Sequence, residues 1–472
     1  MRLRHRLLQG IVAVAIVAGP AFAGSPPPAG LKTHADGQAF QGMAETGWPE
    51  TAWWKDWGDP QLNALIDEAL AGAPSVAQAD ARMRKAAAEA HEVGARELPS
   101  LSGQATVAMT QQSDNLGFPK QFATQFIPQG YNAFGKLDLD FSWEIDFWGK
   151  NRAAVAAATS DATAARADAA EARLMLAADI AAQYADLARL YNERDVAERA
   201  LKVREATETL VAKRVDNGLD TRAELSQAQA GPPSERANLA ALDEQIALAR
   251  NALAALVGAG PDRGLAIQRP GVATLKPIGL PPSLAANLIG RRPDIVAARW
   301  RAQAAEHRVK QARAAFYPNV NLVAYVGQEA LHLDNLFVTG SSIGQVGPAL
   351  SLPIFDGGRL RSQLHGARAD NDAAIAAYDG AVVQALREVA DAVAGERALG
   401  ARLTESRAAL SADEDAHRIA RLRYDGGLAT YQSVLLAENA VLEQRRVVTD
   451  LESRALTLDI ALIRALGGGF SA

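Results

Sequence analysis

The stretch Lys136-Leu137-Asp138-Leu139-Asp140-Phe141-Ser142-Trp143-Glu144-Ile145-Asp146-Phe147 alternates polar and apolar side chains without a break. Leu137, Leu139, Phe141, Trp143, Ile145 and Phe147 fall on one face of an extended chain, and Lys136, Asp138, Asp140, Ser142, Glu144 and Asp146 on the other. Residues 151–214 then supply 64 positions with neither proline nor glycine, enough for a helix of about 96 Å at 1.5 Å per residue. A two-faced strand that runs straight into a helix far longer than globular domains use decides the fold.

Outward from this stretch, the chain repeats itself. Ala73-Pro74-Ser75-Val76 opens an alanine-rich helical segment that ends at Leu98-Pro99-Ser100-Leu101, and Arg292-Pro293-Asp294-Ile295 opens its counterpart, which ends at Tyr317-Pro318-Asn319-Val320. Both proline pairs are offset by 219 residues, whereas Phe147-Trp148-Gly149 matches Phe355-Asp356-Gly357 at 208 and Asp216-Asn217-Gly218-Leu219 matches Asp425-Gly426-Gly427-Leu428 at 209. The drop of about eleven puts a variable loop between two strands in each copy. Each copy then reads as helix, strand, loop, strand, long helix, turn, helix.

The partner strands alternate as well. Leu101, Gly103, Ala105, Val107 and Met109 share a face in the first copy, as do Val320, Leu322, Ala324 and Val326 in the second, with Val346, Pro348, Leu350, Leu352 and Ile354 on the strand that follows. The second long helix is expected over 359–423, and the return helix of the first copy is expected to break at Gly231-Pro232-Pro233, because consecutive prolines cannot continue the hydrogen-bond ladder.

These readings divide the chain into a leader at 1–23, an N-terminal segment at 24–59 and a first repeat at 60–257 with its hairpin near 98–148 and a turn at 215–221. A linker at 258–281, a second repeat at 282–466 with its hairpin near 317–355 and a turn at 424–430, and a tail at 467–472 complete it. The leader is read from Arg2, Arg4 and Arg6 before an apolar run and the small-residue site Ala21-Phe22-Ala23, the pattern of an export signal.

The composition narrows the function. The 472 residues include no cysteine, so disulfide scaffolds, thiolate metal sites, thiol nucleophiles and a lipidated N-terminal cysteine are excluded. A net charge of -5 argues against nucleic acid as a partner, and no run of eighteen apolar residues offers a membrane helix. Seven histidines form no metal-ligating pair, and no nucleophile elbow or phosphate loop occurs, so neither an enzyme nor a cofactor or metal site is expected.

Four strands of ten to thirteen residues suit an outer-membrane crossing, yet an open four-stranded sheet has unsatisfied edges in lipid. The barrel must therefore be shared between chains, with eight strands from two copies or twelve from three. An ordinary sheet on its own core is the alternative. In the barrel reading Leu137, Leu139, Phe141 and Trp143 face lipid, and Asp138, Asp140, Glu144 and Asp146 face the lumen as a solvated, cation-favouring wall.

Trp53-Trp54-Lys55-Asp56-Trp57-Gly58-Asp59-Pro60-Gln61-Leu62, Arg291-Arg292-Pro293-Asp294-Ile295, Ala315-Phe316-Tyr317-Pro318 and Leu352-Pro353-Ile354-Phe355-Asp356-Gly357-Gly358-Arg359 resemble, in this order, the outer-membrane factor family of TolC-like channels, most closely its NodT branch. The resemblance implies an α+β membrane protein: a homotrimer whose twelve-stranded β-barrel in the outer membrane of a Gram-negative bacterium continues into a helical periplasmic tunnel. It implies a passive efflux duct for drugs and other small toxic compounds, docked on a periplasmic adaptor (membrane fusion) protein and an inner-membrane pump of the resistance-nodulation-division type. Service to type I protein secretion is a second possibility within the channel class, and a soluble periplasmic coiled-coil adaptor is the competing class.

The helical turns Gly218-Leu219-Asp220-Thr221 and Gly427-Leu428-Ala429-Thr430 are the expected adaptor contacts by this resemblance. Locally, glycine supplies a left-handed helix stop and threonine a cap for the next helix. Where relatives place an aspartate after the second turn, this chain has Ser433 and Leu436, so no aspartate ring is carried over; the gate candidates are Ser433, Leu436 as a hydrophobic constriction, and Asp413 and Asp415, which with Glu414 lie one or two turns before the turn itself.

Overall fold

The computed structural model describes residues 48–113, 128–271 and 290–471. The leader at 1–23, residues 24–47 of the segment at 24–59, and the linker beyond Gly271 lie outside them.

Pro60–Gly72 (α1) and Pro74–Gly94 (α2) lead into the first hairpin, Ser100–Thr110 (β1) and Asn132–Glu144 (β2). Lys150–Asp216 (α3) and Arg222–Val257 (α4) follow, and then the one-turn helix Pro261–Leu265 (α5). The second half repeats the order with Pro293–Ala314 (α6), Asn319–Leu331 (β3), Ser342–Ser351 (β4), Arg359–Asp425 (α7) and Tyr431–Ala465 (α8). Helices α3 and α7 have 67 residues each, a length of about 100 Å. The connection between strands spans 111–131 in the first hairpin and 332–341 in the second, where the repeat offset placed the length difference.

The strands form one antiparallel sheet in the order β1-β2-β3-β4. Its register sets Leu101 opposite Phe141, Phe141 opposite Ala324 and Ala324 opposite Val346; one step along, Gly103, Leu139, Val326 and Gly344 line up. Directly opposed residues share a face, so the four apolar stripes merge into a single surface. The opposite face brings Gln104, Asp138, Gly327 and Ile343 together, then Ser102, Asp140, Tyr325 and Gln345.

The largest buried cluster lies where α1, α3 and α4 meet. Trp53, Trp54 and Trp57 pack with Leu62, Leu65, Ile66, Ile180, Leu187 and Leu253. Asp59 caps α1 by accepting from Gln61 N at 2.8 Å, and it also accepts from the Tyr184 hydroxyl at 2.7 Å and Gly271 N at 2.9 Å. This buried carboxylate is fully engaged in structure, tying the N-terminal segment and the start of the linker to the long helix.

Three expectations are corrected. Helix α4 does not break at Gly231-Pro232-Pro233 but runs through both prolines. Packing against α3 holds it: Pro232 is buried, and a methyl group at Gly231 would meet Arg204 Cδ at 3.0 Å, so the glycine gives the Arg204 side chain room between the two helices. Strand β2 ends at Glu144, short of Phe147, because Asp146 turns out of the sheet to cap α3, accepting from Arg152 N at 2.8 Å. Strand β4 ends at Ser351, and Leu352, Pro353 and Ile354 form the exit toward α7, where Asp356 plays the same capping role toward Gly358 N and Leu360 N.

Candidate functional site

Two regions carry the features a duct needs. In the sheet, Leu137, Leu139 and Trp143 are exposed on the apolar face beside Leu101, Val326, Val346 and Leu350. Phe141 lies on the same face, half-buried. Where β2 meets α3, the Trp148 ring stacks on Tyr317 at 4.7 Å and its Nε1 donates to Pro318 O at 2.9 Å. The indole of Trp143 donates to Glu97 O at 3.0 Å. Each tryptophan thus has an apolar ring at the surface and a satisfied N–H, the chemistry of a membrane interface.

The polar face is less acidic than alternation alone implies. Lys136 Nζ lies 2.9 Å from Asp138, which is 4% exposed, and 5.5 Å from the Tyr325 ring centre. Glu144 pairs with Lys150 at 2.5 Å, and Asp146, expected on a solvated wall, is held by Arg152 and the start of α3. Asp140 has no basic partner within 4 Å among the described residues, and with Glu329 on the neighbouring strand it leaves the face negative.

The second region is the pair of turns. Helix α3 closes with Gly218 at φ 72°, with Leu219 N donating to Arg214 O at 2.8 Å; α7 closes with Gly427 at φ 74°, with Leu428 N donating to Arg423 O at 2.7 Å. Glycine alone tolerates these angles without strain. Thr221 then forms a reciprocal capping box with Glu224. Thr430 does not repeat it: its hydroxyl lies 3.4 Å from the Ser433 hydroxyl and accepts no backbone N–H, and Ser433 stands in the position of Glu224. Leu219 and Leu428 project into solvent at 64% and 74% exposure.

Asp220 differs from its neighbours in the turn. Its carboxylate accepts from Arg214 Nε at 3.0 Å and from the Tyr424 hydroxyl, and Arg214 Nη1 donates to Tyr424 O at 2.9 Å. Burial and then the Asp220 carboxylate push the Tyr424 phenol up, while hydrogen bonding to Asp220 raises the Arg214 guanidinium. The Asp220 side chain, expected among the adaptor contacts, is engaged inside the chain, where it binds the first turn to the second.

Below this link Val211, Ala228, Tyr424, Tyr431 and Val434 form a buried cluster. Farther up, Arg204 Nε meets Glu438 at 3.0 Å and Arg204 Nη2 donates to Asn439 at 2.5 Å. Burial raises the Glu438 carboxyl against the opposing pull of Arg204. Leu436, on the next face of α8, is 64% exposed, and Ser433 is exposed one turn earlier.

Asp413 and Asp415 lie ten to twelve residues before the end of α7, about three helical turns rather than one or two. Asp415 pairs with Arg418 at 3.2 Å, and Glu414 with Arg445 at 2.6 Å, so the acidic run is a surface tied to α8 and to its own helix. Sequence reading missed Arg214, Tyr424, Arg204 and Glu438. A signal for Tyr424 existed in the repeat itself, since the equivalent position of the first copy holds Val215.

A sheet with one apolar and one polar face, continuous with paired helices of about 100 Å that end in compact turns, is the architecture of an outer-membrane channel. Residues 65–259 and 284–468 match the outer membrane efflux protein family, and the chain belongs to that family of TolC-like channels. It is 37% identical over 372 residues to the fusaric acid resistance protein FusA of Burkholderia cepacia, covering 77% of this chain and 69% of that one. It is 32% identical over 440 residues to the multidrug resistance outer membrane protein MdtP of Escherichia coli K12, covering 91% and 88%. Among solved structures, the outer membrane protein VceC of Vibrio cholerae superposes with a TM-score of 0.85 at 45% identity, covering 90% of this chain and all of that one. The outer-membrane channel OprN superposes at 0.84 and 26% identity, covering 94% and 98%. The chain is an efflux channel of the outer membrane.

Proposed function

We propose that three copies close a twelve-stranded barrel and a common helical tunnel, and that the assembly is the passive outer duct of a tripartite pump. The observation that carries this is the sheet itself. Among the described residues strands β1 and β4 are edges with unpaired backbone groups, and beside them lies an apolar surface that water does not favour. In hydrocarbon each unpaired group costs several kcal/mol, so the sheet must close on further copies.

In this reading Leu137, Leu139, Phe141 and Trp143 meet lipid while Asp138, Asp140 and Glu144 line the lumen. Cargo crosses without bond chemistry. An inner-membrane pump of the resistance-nodulation-division type drives small toxic compounds through a periplasmic adaptor that grips the exposed Leu219, Thr221 and Leu428 and the half-buried Ala429. Opening separates the turns, and Leu436 and Ser433 form the narrowest ring of the closed state. The relatives named for fusaric acid and multidrug resistance support small molecules over proteins as cargo.

The test is the mass of the detergent-purified mature chain together with its single-channel conductance. A trimer giving small cation-selective currents is expected. A water-soluble species that conducts nothing overturns the proposal.

A further inference from the structure

The ten residues that join β3 to β4 turn back over the outside of the sheet. His332, at φ 71°, redirects the chain, and its N–H donates to Ala133 O at 2.5 Å. A short turn over Leu333–Asn335 follows, closed by Val338 N to Asn335 O at 3.2 Å and by the Ser341 hydroxyl to Asn335 O at 2.7 Å. The segment is thus a compact, internally bonded knuckle.

Its position is set by Gly135. A methyl group added there would lie 2.8 Å from Leu333 Cδ2 and 3.4 Å from Leu336 Cδ2. Gly135 shares its face with Leu137 and Leu139 by the two-residue period of the strand, so the knuckle sits on the apolar face and not over the polar one. Leu333 and Leu336 both pack down on Gly135, Leu333 keeping 44% exposure, whereas Phe337 and Val338 are exposed at 75% and 54%. Strand β2 enters α3 at its other end, so the knuckle lies at the rim farthest from the helices. It folds over Gly135 of the inner strand β2 before the chain returns to the edge strand β4.

We propose that this knuckle is a lipid anchor, in which Phe337 and Val338 enter the outer leaflet and hold the rim of the barrel at the headgroup boundary, with Leu333 and Leu336 seating it on Gly135. The inference rests on the lipid-facing assignment of the apolar sheet face, with which the knuckle is continuous. An apolar surface of this kind, flanked by the polar Asp334, Asn335 and Thr339, matches the layered chemistry of an interface.

The chain has no cysteine, so a single introduced thiol reports one position. Phe337→Cys, Leu139→Cys and Asp140→Cys are each labelled with an environment-sensitive fluorophore in the full chain. They are then reconstituted into phosphatidylcholine vesicles with and without a phosphatidylcholine carrying a nitroxide high on its acyl chain. Fluorescence at positions 337 and 139 is expected to fall with the nitroxide lipid while position 140 is unaffected, and Val338→Cys repeats the reading should the first variant assemble poorly. Loss at 139 without loss at 337 or 338 overturns the anchor and leaves the barrel standing. Equal behaviour of 139 and 140 overturns both.

Discussion

The Tyr424 hydroxyl donates to the Asp220 carboxylate across the junction of the two helical turns, and Arg214 binds both partners from the end of α3. The bond joins residues 204 positions apart in the chain, one from each half of the repeat. Only one half supplies the phenol, so the link breaks the internal symmetry at the paired turns.

Removing the hydroxyl with Tyr424→Phe leaves the ring packed against Tyr431 at 6.1 Å and deletes only the bond to Asp220. A hydrogen bond to a charged group contributes about 1.5–3 kcal/mol. Resting conductance in planar bilayers is expected to rise with little change in the amount of membrane-inserted protein. Unchanged conductance in Tyr424→Phe and Asp220→Asn together would show that the link does not hold the channel closed.

Leu436→Ser tests the constriction. The side chain is exposed, so its loss costs little packing, and a wider, wetter ring is expected to raise resting conductance without altering thermal stability. A closed-state current equal to that of the parent removes Leu436 from the gate.

Leu137→Lys and Leu139→Lys place an ammonium on the apolar face of β2. Near the midplane of a bilayer each is expected to cost about 2–4 kcal/mol, read as reduced yield of membrane-inserted assembly. Normal yield from both variants would reverse the facing of the strand.

The strand pattern made this facing legible because a period of two is visible in a single chain, and equal spacing of the two copies exposed the hairpins and the long helices. What stayed hidden depends on contacts between halves. Nothing near residue 231 in sequence shows that Arg204 lies against Gly231, so two prolines read as a break where tertiary packing carries a helix through. Asp220 likewise reads as a surface turn residue until Arg214 and Tyr424 are seen to converge on it. Asp146 belongs to the alternation by position and leaves the strand only because the N–H groups at the start of α3 need an acceptor.

Gly327 gives a sharp steric prediction. A Cβ there would lie 2.3 Å from Leu137 O and 2.6 Å from Asp138 Cβ, a collision with the neighbouring strand that no rotamer relieves. At Gly347 the same methyl meets nothing within 4 Å. Gly327→Ala is expected to lose about 1–3 kcal/mol and to assemble poorly, with Gly347→Ala as the neutral comparison. Equal heat resistance of the two assemblies would show that β2 and β3 can separate at this point without penalty.

The last prediction concerns acid. Glu396 on α7 faces Asp459 on α8 where the helices approach so closely that a methyl on Gly395 would meet Leu458 Cδ2 at 2.6 Å. Burial, then the charge of Asp459 and a hydrogen bond with it, push the Glu396 carboxyl up to about 7. A carboxyl raised in the folded state binds a proton that the unfolded chain releases near its ordinary value of 4.5. Its stabilisation is therefore full below that value and fades as pH rises through 7. Solvent reaches the group, which discounts the effect to roughly 1 kcal/mol per chain. The unfolding midpoint of the purified channel is expected to fall between pH 5 and pH 8, and Glu396→Gln, neutral throughout, is expected to flatten part of that fall and to be the more stable protein at pH 8. Glu171, also held near 7 by burial and the nearby Asp294, keeps a residual slope. Parallel pH profiles for parent and variant would mean that α7 and α8 tolerate two ionised carboxylates at this contact, and the shared proton would have no part in holding them together.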